Sequence, residues 1–337
     1  VKSDVILLGH GSGGKLSHQL LEELIIPTLS GIRQRDQNDA AVIAQQNGRL
    51  AFTTDSYVVD PLFFPGGNIG DLAIHGTVND LAMSGARPLA ISVGLIIEEG
   101  FPISSLQTIL FSMRAAADRA RVAILTGDTK VVEKGKSDKL FINTSGIGIL
   151  EHAWDIAGSK ACFGDKVLIS GTLGDHGMAV LASREGLNLK SSIVSDSAPL
   201  NIMVQDLLQE IGPFLHTLRD PTRGGVATTI KEIALQSGVE VTLDEAALPV
   251  AADVAGACAI LGLDPLYVAN EGKLLAFISP TAVDQALAVM RRHPEGRAAT
   301  VIGEVTGRTI GKVRLKTIIG GMRAIDMLAG EQLPRIC

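Results

Sequence analysis

Aromatic side chains are scarce in this chain: 4% of 337 residues, with one tryptophan and two tyrosines. That removes the stacking platforms on which single-stranded nucleic acid is held. A formal net charge of −6 removes the basic surface that a phosphate backbone requires. Cysteine is equally sparse. Cys162, Cys258 and Cys337 are far apart and odd in number, a pattern that gives neither a disulfide framework nor a thiolate metal spacing. Seven histidines are scattered, so the sequence offers no support for transition-metal chemistry. Long apolar runs are missing too. The longest uncharged stretches, 254–263 and 88–97, are too short to cross a bilayer. The opening Val-Lys-Ser-Asp does not read as the hydrophobic segment of a secretory signal, and a cytoplasmic protein is expected.

What is present suits a compact α/β protein: 46% hydrophobic against 20% charged residues, with 37 glycines. The length allows two domains, each with its own core. The stretch 76–88 organises the first. Asn68 can cap a helix whose first turn holds Asp71, and Gly85 followed by Pro88 supplies its stop. Ile74, Val78 and Leu81 recur at helical spacing and should face the core. Ala73, Gly76, Thr77 and Asp80 form a second stripe, small but for one carboxylate. Such a stripe either holds Asp80 against a bulky partner or packs closely around a surface aspartate.

Near the start, the apolar run 5–8 leads into Gly9-His-Gly-Ser-Gly-Gly-Lys15-Leu16-Ser17. This nearly matches G-x-x-x-x-G-K-[ST] and fails at Leu16, where a magnesium-holding hydroxyl is missing. Gly11, Gly13, Gly14 and Lys15 can still wrap a polyphosphate through N–H groups and an ammonium. The loop reads as a true P-loop, another phosphate-covering loop or a flexible connector. A helix over Leu16, Leu20, Leu24 and Ile25 should end near Pro27. Asn47-Gly48 is a two-residue hairpin turn that brings Asp39 and Asp55 to one end, with 50–54 as the return strand. With Asp80 they offer three hard oxygen ligands suited to magnesium bridged to a nucleotide. Each alone reads equally as a capping or strand-end aspartate.

A β-α-β unit follows: strand 89–97, a helix from near Pro102 burying Leu106, Ile109, Leu110, Met113, Ala117 and Ala120, and strand 122–125. It should end in a polar turn, Thr126-Gly127-Asp128-Thr129-Lys130, where α/β proteins place ligands. The charged run 133–139, with Lys134, reads as a solvated loop. Strand 140–150 closes this half, and 151–161 crosses to the second. There, Arg219-Asp220-Pro221-Thr222-Arg223-Gly224-Gly225 precedes a helix, an anion-binding place with Asp220 within reach of a metal, although a plain helix entry explains it almost as well. Glu271 precedes strand 273–279 as a turn residue. The sequence ends Pro334-Arg335-Ile336-Cys337, an arm expected to be mobile with a reach of roughly 20 Å at ~3.3 Å per residue. An exposed cytosolic thiol is an oxidation liability, which favours a functional role.

Together the glycine-rich opening, Asn38-Asp39-Ala40-Ala41, Thr53-Thr54-Asp55, Asn79-Asp80-Leu81-Ala82-Met83-Ser84-Gly85, Gly127-Asp128-Thr129-Lys130, Asp220 to Gly225 and Pro334 to Cys337 span the chain. They resemble the ATP-binding superfamily that includes aminoimidazole ribonucleotide synthetase, selenophosphate synthetase and thiamine monophosphate kinase. The terminal motif looks like that of its hydrogenase-maturation branch, the carbamoyl dehydratases. The resemblance implies an α/β (α+β) two-domain fold: a glycine-rich segment 1–37, an ATP-binding and dimerising domain 38–154, a C-terminal α/β domain 155–329 and a tail 330–337. It implies ATP with Mg2+ held by Asp39, Asp55, Asp80 and Asp220. Gly11, Gly13, Gly14, Lys15, Asn79, Gly127, Asp128 and Thr129 complete the nucleotide site. Catalysis would involve Cys337, Lys134 and Glu271, with either Lys134 or Glu271 as the base. Implied partners are a carbamoyltransferase, an iron scaffold complex that accepts cyanide, and a second copy in a homodimer. The selenophosphate synthetase loop carries a catalytic cysteine or selenocysteine, and this loop has none, which counts against selenium chemistry.

Overall fold

The computed structural model describes residues 3–11, 15–30, 48–184, 192–327 and 335–337. The helix α1 (Lys15–Leu20) runs through a π-helical stretch, Leu21–Ile25, into α2 (Ile26–Ser30). Pro27 does not end this helix as expected. The wider π spacing just before it changes the hydrogen-bond register where proline has no N–H to give.

The first sheet contains β1 (Arg49–Tyr57), β4 (Arg87–Glu98), β5 (Ala123–Val132) and β6 (Leu140–Leu150) in the order β1-β6-β4-β5. The pair β4 and β5 is parallel and joined through α4 (Ile103–Ala120), the expected β-α-β unit. The short pair β2 (Phe63–Phe64) and β3 (Gly67–Asn68) leads into α3 (Ile69–Met83). Both helices cover one face of the sheet, and all six apolar residues assigned to the buried side of α4 are buried. The Asn47-Gly48 hairpin lies largely outside the described residues, as does Asp39.

The second domain is a seven-stranded mixed sheet, β13-β12-β9-β11-β7-β10-β8. Its strands are β7 (Lys166–Ile169), β8 (Leu215–Arg219), β9 (Glu240–Asp244), β10 (Leu275–Ile278), β11 (Thr300–Gly307), β12 (Lys312–Lys316) and β13 (Met322–Ile325). Its helices are α5 (Asp175–Ala182), α6 (Asn201–Ile211), α7 (Gly225–Ser237), α8 (Ala252–Leu261) and α9 (Val283–Arg291). Both faces are covered, and alternation along the strands shows it. Leu168, Ala276 and Ile278 enter a core with α6 and α9, whereas Val167, Ile169, Leu275 and Phe277 enter another with α7. Ala82 and Met83 from the end of α3 join the first of these cores. Hydrophobic burial is therefore continuous across the domain junction. No helix among the described residues is long and apolar enough to cross a membrane.

Candidate active site

Helix α3 is fixed at its start by a capping box. Asn68 Oδ1 accepts from Gly70 N at 2.8 Å, and Asp71 Oδ1 accepts from Asn68 N at 2.8 Å. The small stripe then lies against β1 and β6. Thr77 bonds Thr144, and Gly76 sits beneath Tyr57, where a Cβ would come 2.2 Å from the hydroxyl oxygen. Close packing is thus one use of that stripe, and holding Asp80 is the other. Asp80 Oδ2 accepts from Thr53 Oγ1 at 2.9 Å. Strand β1 extends to Tyr57, so Asp55 lies within it, opposite Thr144, and shares the helix-facing side with Thr53 and Tyr57.

Three loops of the second domain meet this surface. Asp220 leaves the end of β8 just ahead of the helix α7. Asn270 holds the loop after Asp220, donating from Nδ2 to Pro221 O at 2.9 Å, and its Oδ1 accepts from Gly174 N at 2.8 Å. Glu271 follows, with Oε1 buried and without a hydrogen-bond partner among the described residues. Gly272 is glycine for space: a Cβ would lie 1.8 Å from Asp196 O. The third loop, 195–198, presents Asp196, whose Oδ1 accepts from Glu271 N at 3.0 Å and whose Oδ2 lies 3.4 Å from Lys273 Nζ.

Two buried histidines hold that loop. Arg119 can only donate to His75 Nε2, at 3.0 Å, so Nδ1 carries the proton and donates to Ser197 Oγ at 2.9 Å. His176 Nε2 must donate to the carbonyl of Ile336 at 2.9 Å, leaving Nδ1 to accept from Ser195 Oγ at 2.8 Å. Burial keeps both rings neutral, and His75 is pushed down to about 3.

The last residues are seated rather than free. Asp60 N donates to Arg335 O at 3.1 Å and Val58 N to Cys337 O at 3.2 Å. Arg335 returns bonds to Val58 O (2.9 Å) and to Asp138 Oδ2 (2.6 Å), while Ile336 is buried in the first domain's core. These contacts overrule the expectation of a mobile arm for residues 335–337. They bring the Cys337 thiol into the carboxylate cluster, where burial, then Glu271, and then Asp55 raise its proton affinity while Arg223 opposes them.

Negative charge dominates the cluster. Glu271 is held well above the usual carboxylate range by burial, then by Asp220, Asp196, Asp55 and Asp80. Asp80 and Asp220 are raised as well, chiefly by burial; Asp220 adds to the rise of Asp80, and Asp55 to that of Asp220. Among the described residues, the carboxylates here outweigh the cations near them, Arg219, Arg223 and Lys273.

The fold brings together Asp55, Asp80, Asp220, Glu271 and Cys337. It does not bring Lys134, which sits in the loop between β5 and β6 beside Glu98. The stretch 126–130 is not a turn: β5 continues along β4 to Val132, because β4 itself runs on to Glu98. Gly127 is three strands from Asp55 in the row Asp55, Thr144, Val93, Gly127, about 14 Å away. Asp128 pairs with Lys130 at 2.8 Å and accepts from Thr129 N, so these three residues stand apart from the cluster in this chain. Asn79 is committed to backbone, donating to Ala198 O (3.0 Å) and Glu271 O (3.2 Å) and accepting from Leu200 N (2.8 Å). These bonds tie the loop at Glu271 and the start of α6 to α3. Gly11 ends a 3-10 turn and Lys15 opens α1; Gly13, Gly14 and Asp39 lie outside the described residues. Asp196, His75, His176 and Lys273 went unread in the sequence because their partners stand far from them along the chain.

Comparison with known proteins gives a consistent result. Residues 37–150 match the family "AIR synthase related protein, N-terminal domain", and residues 163–316 match "AIR synthase related protein, C-terminal domain". The carbamoyl dehydratase HypE of Cupriavidus necator is 51% identical over 100% of this chain and 96% of its own length. Among solved structures, the hydrogenase maturation protein HypE in complex with ATP aligns with a TM-score of 0.93 at 48% identity, covering 98% of this chain and 99% of that one. The chain in a HypE–HypF complex aligns at 0.81 and 44% identity, covering 94% of this chain and 100% of that one.

Proposed function

The chain belongs to the HypE family of AIR synthase related proteins, and from that premise we propose that it is an ATP-dependent carbamoyl dehydratase whose substrate is its own Cys337. The observation that carries this reading is the placement of Cys337, held by Val58 N on its carbonyl and packed on the first core, where the charges of Glu271, Arg223 and Asp55 act on its thiol. A carbamoyl group received from a carbamoyltransferase of the HypF kind would make a thiocarbamate, S–C(=O)–NH2. Direct loss of water is slow because oxide is a very poor leaving group. Transfer of the γ-phosphoryl group of ATP to the carbonyl oxygen lets that oxygen depart as phosphate. Removal of both N–H protons then leaves S–C≡N, with ADP and phosphate as the other products.

Glu271 is the proposed base. Its unpartnered buried oxygen and raised proton affinity suit proton removal from the amide nitrogen. The place of Lys134 beside Glu98 favours Glu271 over it as the base within one chain. Asn79 and Asp196 orient Glu271 through its backbone. Asp55, Asp80 and Asp220 are the proposed magnesium and phosphate ligands, with Asp39, Lys15, Gly11, Gly13 and Gly14 completing the site as the family resemblance implies. Hard carboxylate oxygens crowded in a partly buried place fit Mg2+, which would neutralise charge on the phosphates. The nitrile carbon would pass as cyanide to an iron scaffold of the HypC–HypD kind.

We also infer a homodimer. The uncovered face of the first sheet carries Leu50 and Phe52, 65% and 72% exposed, and pairing would cover it.

The test is phosphate release from ATP by the carbamoylated protein. Cys337→Ala should abolish it, and Glu271→Gln should lower it by about 100-fold or more while nucleotide binding persists. Because the base must be ionised, the rate should fall on the acid side as Glu271 takes up a proton. Equal turnover in either variant would overturn the assignment.

A further inference from the structure

Outside the carboxylate cluster, the fold assembles a group that the sequence spacing conceals. Cys162, Asp165 and His216 each offer one ligand atom, and these atoms all lie within 4.8 Å of one another. Among the described residues no other trio of histidine, cysteine and carboxylate ligands meets that condition. We propose that Cys162, Asp165 and His216 form a binding site for a zinc-type divalent ion, at the entrance to the second domain.

The frame is fixed by main-chain bonds. Asp165 N donates to Cys162 O at 3.0 Å while Cys162 N donates to Asp165 Oδ2 at 2.8 Å, a closed turn ahead of β7. Gly164 and Asp165 exchange bonds with Val305 on β11, at 3.0 and 2.9 Å. His216 enters from β8, and its Nδ1 lies 2.9 and 3.0 Å from the two oxygens of Asp165. Along the same edge, Ala157 N donates to His216 O and Thr217 Oγ1 donates to Ala157 O. The two parts of the trio are therefore held together by backbone as well as by the ligands themselves.

The donor set selects the ion. A thiolate, an imidazole and one carboxylate suit zinc, cobalt or nickel, whereas magnesium and calcium demand oxygen. In a tetrahedral zinc site the ligand atoms stand about 3.5 Å apart, given bond lengths of about 2.0–2.3 Å. The nitrogen and the carboxylate are already closer than that, and the exposed Cys162 side chain can close the remaining gap by rotation. Uptake breaks the S–H bond and forms S–M, releasing the thiol proton to solvent. In the ion-free chain His216 Nδ1 carries the proton that bonds Asp165; on uptake that proton leaves Nδ1, to Nε2 or from a protonated ring to solvent, and the neutral ring with its proton on Nε2 holds the ion through Nδ1. Solvent supplies the fourth ligand, because Cys162 is exposed and Asp165 buried at 2% exposure. Occupancy would tie the interdomain crossing to the strand that ends at Arg219, just ahead of Asp220.

The experiment is a titration of the purified full chain with cobalt(II) alone, without nucleotide, followed by the thiolate-to-cobalt charge-transfer band in the near ultraviolet. One equivalent per chain should produce the band, and zinc should bleach it. Cys162→Ser should remove the band, and His216→Gln should weaken affinity by about tenfold or more. Cys337→Ser should leave it unchanged. Thermal unfolding of the ion-free Cys162→Ser variant, matching that of the parent, separates ligand loss from misfolding. Absence of the band, its persistence in Cys162→Ser or its loss in Cys337→Ser would each overturn the proposal.

Discussion

Glu271, Asp80 and Asp220 take their chemistry from burial among like charges, and a single sequence cannot display that. The aspartates were legible as motif members, and Cys337 as a thiol without another purpose. Glu271 read as a turn residue until the resemblance singled it out. The two histidines were invisible because each acts on a loop more than 15 residues away, from His176 to Ser195 and from His75 to Ser197. His75 supplies a sharp test. Its folded-state proton affinity is depressed from 6.5 to about 3 by burial first and by Arg119 second. The folded chain therefore binds fewer protons than the unfolded chain between those values. Its stabilising contribution is complete above about pH 6.5 and is lost as the pH falls toward 3. Between pH 7 and 5 that loss is about 2 kcal/mol. Denaturant unfolding should show His75→Gln less stable than the parent at pH 7, with the gap narrowed by about that amount at pH 5. An unchanged gap would mean that His75 is not a buried neutral ring.

At the scale of elements, most of the architecture was written locally. The α3 cap, the α4 buried face and the β-α-β unit all follow from short-range pattern and capping chemistry. Two elements ran past their punctuation. The polar stretch 126–130 was absorbed into β5 because its parallel neighbour offered an unbroken ladder, and Pro27 was absorbed into a helix through the π-helical turn ahead of it. Tertiary pairing outweighed local composition in the first case. The small stripe on α3 was readable as a close approach, but its occupant, Tyr57, was not. Gly76→Ala should destabilise the protein by about 1–3 kcal/mol, because the added methyl meets the buried Tyr57 ring and hydroxyl. Thermal or denaturant unfolding measures this, and a neutral result would show that β1 can shift away from α3.

For the whole molecule, the two domains meet through residues that appear unremarkable in sequence. Asn79 reaches from α3 to the backbone at 198, 200 and 271, and Asn201 donates to Ala120 O at 2.9 Å. The last three residues close the same junction, with Ile336 in the first core and its carbonyl on His176. A mobile arm was the reasonable expectation from composition, since the pocket that receives it is built by both domains. The open sheet face gives a prediction at this scale. If the proposed dimer uses this face, the parent should scatter light as a dimer and Phe52→Glu as a monomer, with little change in thermal unfolding because Phe52 is 72% exposed in one chain. A dimer that persists would place the contact elsewhere.

The central claim is that Cys337 carries the group that is dehydrated. The most direct measurement is the intact mass of the protein after incubation with the carbamoyltransferase, carbamoyl phosphate and ATP–magnesium, beside Cys337→Ala. The account predicts a carbamoyl adduct that becomes lighter by one water when ATP is turned over, with no adduct on the variant. An adduct that persists in Cys337→Ala, or ATP consumed with no dehydrated species formed, would contradict it.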